Sequence, residues 1–460
     1  MSIEKLIKIE KNYNTELLVL KDQPIWPVIR LPLNEHLRSQ EDITSRTFDL
    51  KNNINFKTLR TLFFGIRHLT KFRSHKYWFF SSSERRKKIN DIYEDRVIEG
   101  LVKKYKGLSI ENPHPLGKHL HKNIGETKVI SRSLFYLGEL IFSKLFTFNL
   151  KINNEQVIKT ILDDYQLNFN YKVYLRKYFG QYLFYKTILK FHKPDIVFLV
   201  YAASSMGMVK ALKEKKIPVV ELQHGIINEK HLAYNIFKNF GKCLYPDYLL
   251  TYGETELDFF HNKNYFISPK NVFPVGYYFL EKNKELKKIK NEYSSYKKII
   301  VFSFQEVFEK QIFDFLNQTA ILDDTVCYVV IPRNSNKDYS KMKFQSNVII
   351  NKKINIYEAL KICDIHATIN SSCAIEAMSL GIPNILYNYK NWSSSYFKSI
   401  FDSDNYGCYV TTPQEFYNII KEHKYASREQ ILKKGETFFK KGFMQNFEEV
   451  LSQRILKNKI

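Results

Sequence analysis

The sequence predicts an α/β chain of two doubly wound, parallel-sheet domains followed by a helical C-terminal tail. Three observations point there. From Lys193 onward, short apolar runs bounded by polar residues alternate with helix-like stretches. A second such series begins after a charged, weakly apolar stretch between Leu280 and Lys298. The length of 460 residues exceeds one ordinary core, since domains commonly run to about 100–200 residues.

The first ~190 residues carry the least regular pattern. Leu17-Leu18-Val19-Leu20 and Tyr77-Trp78-Phe79-Phe80 read as buried strands, because short aliphatic or aromatic runs between polar residues suit a covered sheet. Ser83 to Lys104 reads as helical. Next, Ile196 to Val200 is a strand, Met206 to Lys215 a helix that Ser204-Ser205 opens, and Val219 to Leu222 a second strand, which together make a βαβ unit. That second strand ends at Gln223-His224-Gly225. Tyr248 to Tyr252 and Asn271 to Gly276 read as further strands.

In the second series Ile299 to Phe304 is a strand, Glu306 to Gln318 a helix, and Cys327 to Ile331 a strand. Val348 to Ile350, a helix around Tyr357 to Ile362, and the strand Asp364 to Thr368 follow. The turn Asn370-Ser371-Ser372 then leads into the helix Ala374 to Leu380, stopped by Gly381, and the strand Asn384 to Tyr387. Thr412-Pro413-Gln414-Glu415 is a capping box with proline at the first helical position, so a helix starts there. The expected division is 1–280, a connection at 281–298, 299–425, and helices over 426–460.

With 44% hydrophobic and 15% aromatic residues the chain can build cores throughout, which excludes the disordered class. The formal charge of +24 predicts attraction to polyanions, whether nucleic acid, an anionic membrane face or phosphorylated substrates. A composition heavy in Lys, Asn, Ile, Tyr and Phe accounts for part of that charge without any partner. No secretory signal pattern opens the sequence and no run approaches the ~18 apolar residues that cross a bilayer, so a cytoplasmic location is expected, with peripheral contact to the inner membrane. The five scattered cysteines lack metal or disulfide spacing.

Ligands of open α/β sheets bind beyond the carboxyl ends of strands, which directs attention to three places. At Glu221-Leu222-Gln223-His224-Gly225 a carboxylate, an amide and an imidazole crowd a strand end that Gly225 lets turn sharply. His224 could act as general base with Glu221 orienting or charging it, and His231 and Tyr234 lie about one helical turn further on. A structural histidine at a sheet edge would explain the same residues. At Asn370 to Ala377 free N–H groups at a helix start and the hydroxyls of Ser371 and Ser372 suit a phosphate, and Glu376 suits ribose hydroxyls; a plain capped helix is the other explanation. Arg333, after the strand ending Val330-Ile331-Pro332, could pair with phosphate or an acidic sugar, or simply be solvated.

Other patterns carry less. Asp402-Ser403-Asp404 matches an Asp-x-Asp metal pattern but is a short acidic loop of a common kind. His114, His119 and His121 form a His-bearing segment without the Cys or carboxylate spacing of a metal site, so none is expected. Neither a P-loop nor a G-x-G-x-x-G dinucleotide fingerprint is present, and no cofactor is expected.

The series Asp364-Ile365, Asn370-Ser371-Ser372, Glu376-Ala377 and Gly381-Ile382-Pro383 resembles the donor half of GT-B glycosyltransferases. Glu221 to Gly225 with its preceding βαβ unit resembles bacterial capsule, O-antigen and lipopolysaccharide biosynthesis proteins. Together they span roughly residues 190–390, and Trp26-Pro27-Val28-Ile29-Arg30 is a weaker member of the pattern. The resemblance implies two Rossmann-like domains facing a cleft, an acceptor-side one at 1–280 and a nucleotide-sugar-binding one at 299–425. It implies that Ser371, Ser372 and Glu376 hold a nucleotide-sugar, with His224 facing it as base. A His-Gly is also the proposed base in teichoic-acid glycerophosphotransferases of this architecture. Related sialyl- and Kdo-transferases often carry His-Pro where this chain has Ile331-Pro332, which speaks against a CMP-sugar.

The expected activity is metal-independent glycosyl transfer to a glycan or lipid-linked glycan acceptor, with Arg333 and the Ser371-Ser372 turn on the leaving phosphate and Gln223, His231 and Glu254 lining the acceptor side. A glycerol- or ribitol-phosphate transferase and a nucleotide-sugar epimerase are the enzymatic alternatives. A basic nucleic-acid-binding protein is the non-enzymatic one, resting on charge alone; no specific nucleic-acid partner is expected.

Overall fold

A computed structural model describes residues 2–41, 65–66, 68, 72, 75–89, 92–113, 124, 128–146, 150–229, 231–261, 264–285, 292–303, 306–333, 337–401 and 403–457. The chain divides into two compact units. Unit 1 comprises Met1–Thr251, Glu256–Pro274 and Asn446–Ile460, and unit 2 comprises Tyr252–Thr255 and Val275–Gln445.

Unit 1 is built on seven parallel strands: β1 (Tyr77–Ser82), β2 (Leu108–Asn112), β3 (Val129–Ser131), β4 (Ile196–Leu199), β5 (Val219–Leu222), β6 (Tyr248–Thr251) and β7 (Val272–Pro274). Their order across the sheet is β7-β6-β5-β4-β1-β2-β3. Strands buried on both faces read as unbroken apolar runs, which is why Tyr77 to Phe80 and Ile196 to Val200 were legible. Phe79 and Phe198, opposite each other in register, stack at 4.7 Å on one face. Trp78 and Phe80 join the core on the other, with Phe135 and Tyr185 from the helices Ser133–Phe146 and Tyr171–Ile188.

Two early expectations need correction. Leu17 to Leu20 is not one buried strand: Thr15–Leu17 is a helical turn with Leu17 exposed, and only Val19–Leu20 pairs, antiparallel to Gln23–Pro24. Ser83 to Lys104 is not one helix. It forms a turn at Ser83–Arg85, a hairpin of Arg86–Ile89 with Ile92–Asp95, and a helix only from Glu99 to Tyr105. The reason is long-range. Arg86 is fully buried, its Nε 3.0 Å from Glu111 of β2 and its Nη1 3.2 Å from Glu99, and an extended hairpin brings it there where a helix would leave it on the surface.

Unit 2 carries six parallel strands: β8 (Lys298–Ser303), β9 (Val326–Ile331), β10 (Val348–Ile350), β11 (Ile365–Thr368), β12 (Asn384–Tyr387) and β13 (Gly407–Val410). The order is β10-β9-β8-β11-β12-β13. Helices at Glu309–Ala320, Ile356–Leu360, Cys373–Met378 and Pro413–Glu422 alternate with them. Gly381, at φ +77°, adopts the left-handed conformation that ends the Cys373–Met378 segment. The Thr412 capping box is present, its side chain accepting from the Glu415 amide. The two sheets, each with helices, are doubly wound as the alternation predicts.

The helix Tyr278–Glu285 opens the stretch read as the 281–298 connection, and the units part at Pro274 and Val275. The tail is helical, with Arg428–Glu436 in unit 2 and Phe443–Val450 running on to Leu456. Phe447 is fully buried within unit 1, its ring 5.6 Å from those of both Phe198 and Tyr105.

Candidate functional site

In a doubly wound sheet the strand order reverses once, and connections leaving the carboxyl ends on either side of that point diverge and leave a crevice. In unit 1 the reversal lies between β1 and β4. The segments leaving there are the turn Ser83–Arg85 after β1, Tyr201 with the turn Ala202–Ser205 after β4, and Gln223-His224-Gly225 after the neighbouring β5.

Glu221 is 1% exposed and sits between β4 and β6, opposite Leu199 and Leu249. Tyr234 donates its hydroxyl to Glu221 Oε1 at 2.7 Å. Burial pushes this carboxyl up to about 7, against the pull of Tyr234, the Ala202 amide and Arg85. Tyr234, rather than His224, is therefore the group Glu221 holds.

His224 is half-buried, its ring edge-on to Tyr201 at 5.4 Å between centroids. Its Nδ1 is buried with no hydrogen-bond partner, and its carbonyl accepts from Arg96 Nη2 at 3.3 Å. Burial, then Arg85, His231 and Arg96, hold the imidazole well below its ordinary pKa, with only the Val200 carbonyl opposing. At neutral pH the ring is uncharged, the state in which it accepts a proton.

Gln223 is buried and donates to Glu256 Oε1 at 2.7 Å and to the Gly225 carbonyl at 2.9 Å, bracing the turn. The chain bends at Gly225 as expected, without entering the left-handed region, and a Cβ there would meet nothing within 4 Å. His231 lies in a loop, not a helix, with its ring 4.8 Å from that of Tyr234 and its pKa lowered by burial. Arg30, from the weaker Trp26 to Arg30 pattern, is a buried brace: it pairs with Glu10 at 2.7 Å and donates to the carbonyls of Leu232 and Asn235 at 2.5 and 2.9 Å.

In unit 2 the reversal lies between β8 and β11, whose carboxyl ends are Ser303 and Thr368. Thr368 Oγ1 donates to the Ser303 carbonyl at 2.7 Å and accepts the Ser371 amide at 3.2 Å, tying the turn to the sheet. Ser371 Oγ accepts the Cys373 amide at 3.3 Å. Ser371 and Ser372 are partly exposed, whereas Glu376 is buried at 4% exposure. Beneath them His366, fully buried, bridges Ser303 Oγ at 2.8 Å and Asn384 Oδ1 at 2.7 Å. Asn384 Nδ2 donates to the Ala374 carbonyl, so Oδ1 faces the imidazole, Nδ1 carries the proton and Nε2 accepts from Ser303. Burial pulls this histidine down to about 4.

Arg333, at the end of β9, and Glu254, in the Tyr252–Thr255 part of unit 2, are exposed. His114, His119, His121 and Asp402 lie outside the described residues. Among the described residues no cluster of three or more His, Cys, Asp or Glu is placed to hold a metal, and no helix is long and apolar enough to cross a membrane.

No known protein family matches the chain by sequence, and no curated protein does so either. Solved structures match it in three dimensions. The calicheamicin glycosyltransferase CalG4 superposes with a TM-score of 0.50 at 12% identity, covering 84% of this chain and 98% of its own. The fold is GT-B-like. The glycotransferase of kitacinnamycin has a TM-score of 0.49 at 10% identity, over 84% of this chain and 99% of its own. The UDP-GlcNAc 2-epimerase from Neisseria meningitidis, solved bound to UDP-GlcNAc, has a TM-score of 0.47 at 11% identity, over 83% and 99%. At such identities the likeness is one of fold.

Within this GT-B-like chain, sequence reading missed Arg85, Arg96, Glu256, Ser303 and His366. A signal for the last two was present, since each is a polar residue at or near the end of an otherwise apolar strand. Arg85 and Arg96 were hidden by reading Ser83 to Lys104 as a helix.

Proposed function

We propose that the protein is a glycosyltransferase that moves a sugar from a nucleotide-sugar to a growing surface glycan, as in capsule, O-antigen or lipopolysaccharide synthesis, without a metal. The observation that carries this reading is the chemistry at the two strand-order reversals. One presents an uncharged imidazole, His224, just past the strand that carries the buried Glu221; the other presents a hydroxyl-and-amide turn, Ser371-Ser372, tied to its sheet through Thr368.

In the proposed mechanism the Ser371-Ser372 turn and Arg333 take the nucleotide phosphates, and Glu376 holds the ribose. The acceptor hydroxyl gives its proton to His224 as its oxygen attacks the anomeric carbon, and the nucleotide leaves with the bonding electrons. Glu221, held by Tyr234, braces the strand that leads to the base. Gln223 and His231 belong to the acceptor side, whereas Glu254, expected there from the sequence, lies in unit 2.

The test is nucleotide release from UDP-, GDP- and CMP-sugars and from CDP-glycerol, with the product analysed for glycosidic linkage. A sugar donor consumed only with acceptor present supports transfer; CMP release from CDP-glycerol, or an epimerised sugar with no linkage formed, sinks it. In His224→Asn, kcat is expected to fall by about 10²–10⁴-fold with donor affinity unchanged. Ser371→Ala with Ser372→Ala should instead weaken donor binding. Transfer at the wild-type rate by a folded His224→Asn protein overturns the base assignment.

A further inference from the structure

On one face of the unit 2 sheet, three polar side chains form a chain of hydrogen bonds whose direction is fixed. Asn384 of β12 stands opposite His366 of β11, and His366 opposite Val301 of β8, so Ser303 points to the same face two residues on. Asn384 Nδ2 donates at 3.1 Å to the Ala374 carbonyl, which can only accept, and this turns Oδ1 toward the ring. His366 Nδ1 therefore carries the one proton of the uncharged imidazole and donates it at 2.7 Å, leaving Nε2 as a bare acceptor. Ser303 Oγ, 2.8 Å from Nε2, must direct its hydrogen there. Burial, which holds His366 down at about 4, keeps the ring in this state at neutral pH.

Ser303 Oγ is thereby reduced to an acceptor toward anything beyond the ring, and among the described residues no group donates to it. The residue is 5% exposed and ends β8, at the strand-order reversal. Ser371 has the opposite polarity. Its oxygen accepts the Cys373 amide at 3.3 Å, which leaves its hydrogen for a ligand. The two serines are joined through one side chain, since Thr368 Oγ1 donates to the Ser303 carbonyl and accepts the Ser371 amide. A phosphate oxygen, which accepts and carries negative charge, suits Ser371 and is disfavoured by the lone pairs of Ser303.

We propose that Ser303 accepts a hydrogen bond from a hydroxyl of the transferred sugar, with His366 and Asn384 as the positioning residues that set its direction. The inference rests on the reading of the Ser371-Ser372 turn as the seat of the donor's phosphates. The segment Cys373–Met378, which carries the Glu376 given to ribose, joins β11 to β12, whereas Ser303 ends β8 on the other side of β11. A nucleotide-sugar runs in the order ribose, phosphates, sugar, so a donor held by Glu376 and the turn carries its sugar toward β8. Sugar hydroxyls supply the hydrogen that Ser303 lacks. The relay selects by what the ligand can donate, because a sugar without that hydroxyl leaves a buried acceptor unpaired.

The experiment has two arms. In the first, ¹⁵N-histidine-labelled full chain reports the His366 tautomer by its ring nitrogen shifts, the signal being assigned by its loss in His366→Gln. A proton on Nδ1 is expected at neutral pH; a proton on Nε2 would free the Ser303 hydrogen to donate outward and overturns the proposal whatever binds. In the second, UDP, UDP-glucose, GDP and GDP-mannose are titrated calorimetrically into wild type, Ser303→Ala and Ser303→Thr, followed by deoxy and deoxyfluoro forms of the sugar that binds. Fluorine accepts weakly and cannot donate. Expected is nucleotide-sugar affinity reduced about three- to tenfold in Ser303→Ala, free diphosphate affinity unchanged, and Ser303→Thr close to the wild type. At one sugar position the deoxy and deoxyfluoro forms should both lose this increment in the wild type, and neither should lose it again in Ser303→Ala. The proposal is overturned if Ser303→Ala binds the nucleotide-sugar like the wild type, if the free diphosphate weakens as much, or if every deoxyfluoro form binds like the parent sugar. Should no diphosphate and no nucleotide-sugar bind a chain that shows the Nδ1 tautomer, the donor reading of the turn fails and the sugar assignment with it, while the direction of the relay stands.

Discussion

Burial holds the Glu221 carboxyl up at about 7, where a solvated one titrates near 4.5. A carboxyl raised in the folded state contributes its full share of stability only below the unfolded value, and that share is lost as pH rises from about 4.5 through about 7. The loss is on the order of 3 kcal/mol. Glu221→Gln keeps the shape and removes the titration, so its thermal midpoint should gain on the wild type between pH 5 and pH 8; a pH-independent difference would show that Glu221 is not held protonated. At this scale the sequence was legible in part. The residues Glu221, Gln223 and His224 were found because they are polar at the end of an apolar run. Tyr234 was noticed nearby but not as the partner of Glu221, and Glu256 was not noticed at all, because both reach the site by tertiary folding of segments whose pattern does not show the contact. Gly225 shows a related limit: the residue was noticed for its conformational freedom, while the structure points to the space it leaves open.

The Arg86–Ile89 and Ile92–Asp95 hairpin shows how an element is decided by contacts that local pattern does not contain. Arg86 lies 25 residues from Glu111 in sequence, yet the two side chains are fully buried against each other, with Glu99 completing the group. Removing one member of a buried ion cluster strands the others, at a cost of about 3–5 kcal/mol, whereas replacing the whole cluster with apolar groups of similar volume costs far less. Arg86→Met should therefore destabilise unit 1 strongly, and Arg86→Met with Glu111→Leu should recover part of that loss. Urea denaturation of both variants checks this, and equal stability of the single and double variants would mean the cluster is not coupled. The same hairpin positions Arg96 beside His224, so its folding is a condition of the proposed acceptor site. By contrast β8 to β12 and the helices between them were legible to within a few residues, because strands buried on both faces announce themselves by composition. β13 was missed because Gly407–Val410 is short and opens on a glycine, which weakens a strand pattern.

At the scale of the whole molecule the chain does not keep its units contiguous. After completing the sheet of unit 2 it returns its last residues, Asn446–Ile460, to unit 1. The return is anchored by Phe447, fully buried against Phe198 of the central sheet and Tyr105, with Leu451 and Ile455 also buried and Lys104 paired to Glu448. No linear pattern distinguishes these residues from any other amphipathic tail, which is why the sequence predicts helices at 426–460 but not their destination. Truncating a buried phenylalanine to alanine costs about 3–5 kcal/mol through lost burial and the cavity left behind. Since Phe447 packs on Phe198, that cost falls on unit 1, although the residue directly follows the last segment of unit 2. Phe447→Ala is therefore expected to raise amide hydrogen exchange along β1 and β4 while leaving β8 and β11 as protected as in the wild type. If exchange rises instead in β8 and β11, the tail stabilises unit 2, and the assignment of Asn446–Ile460 to unit 1 is wrong.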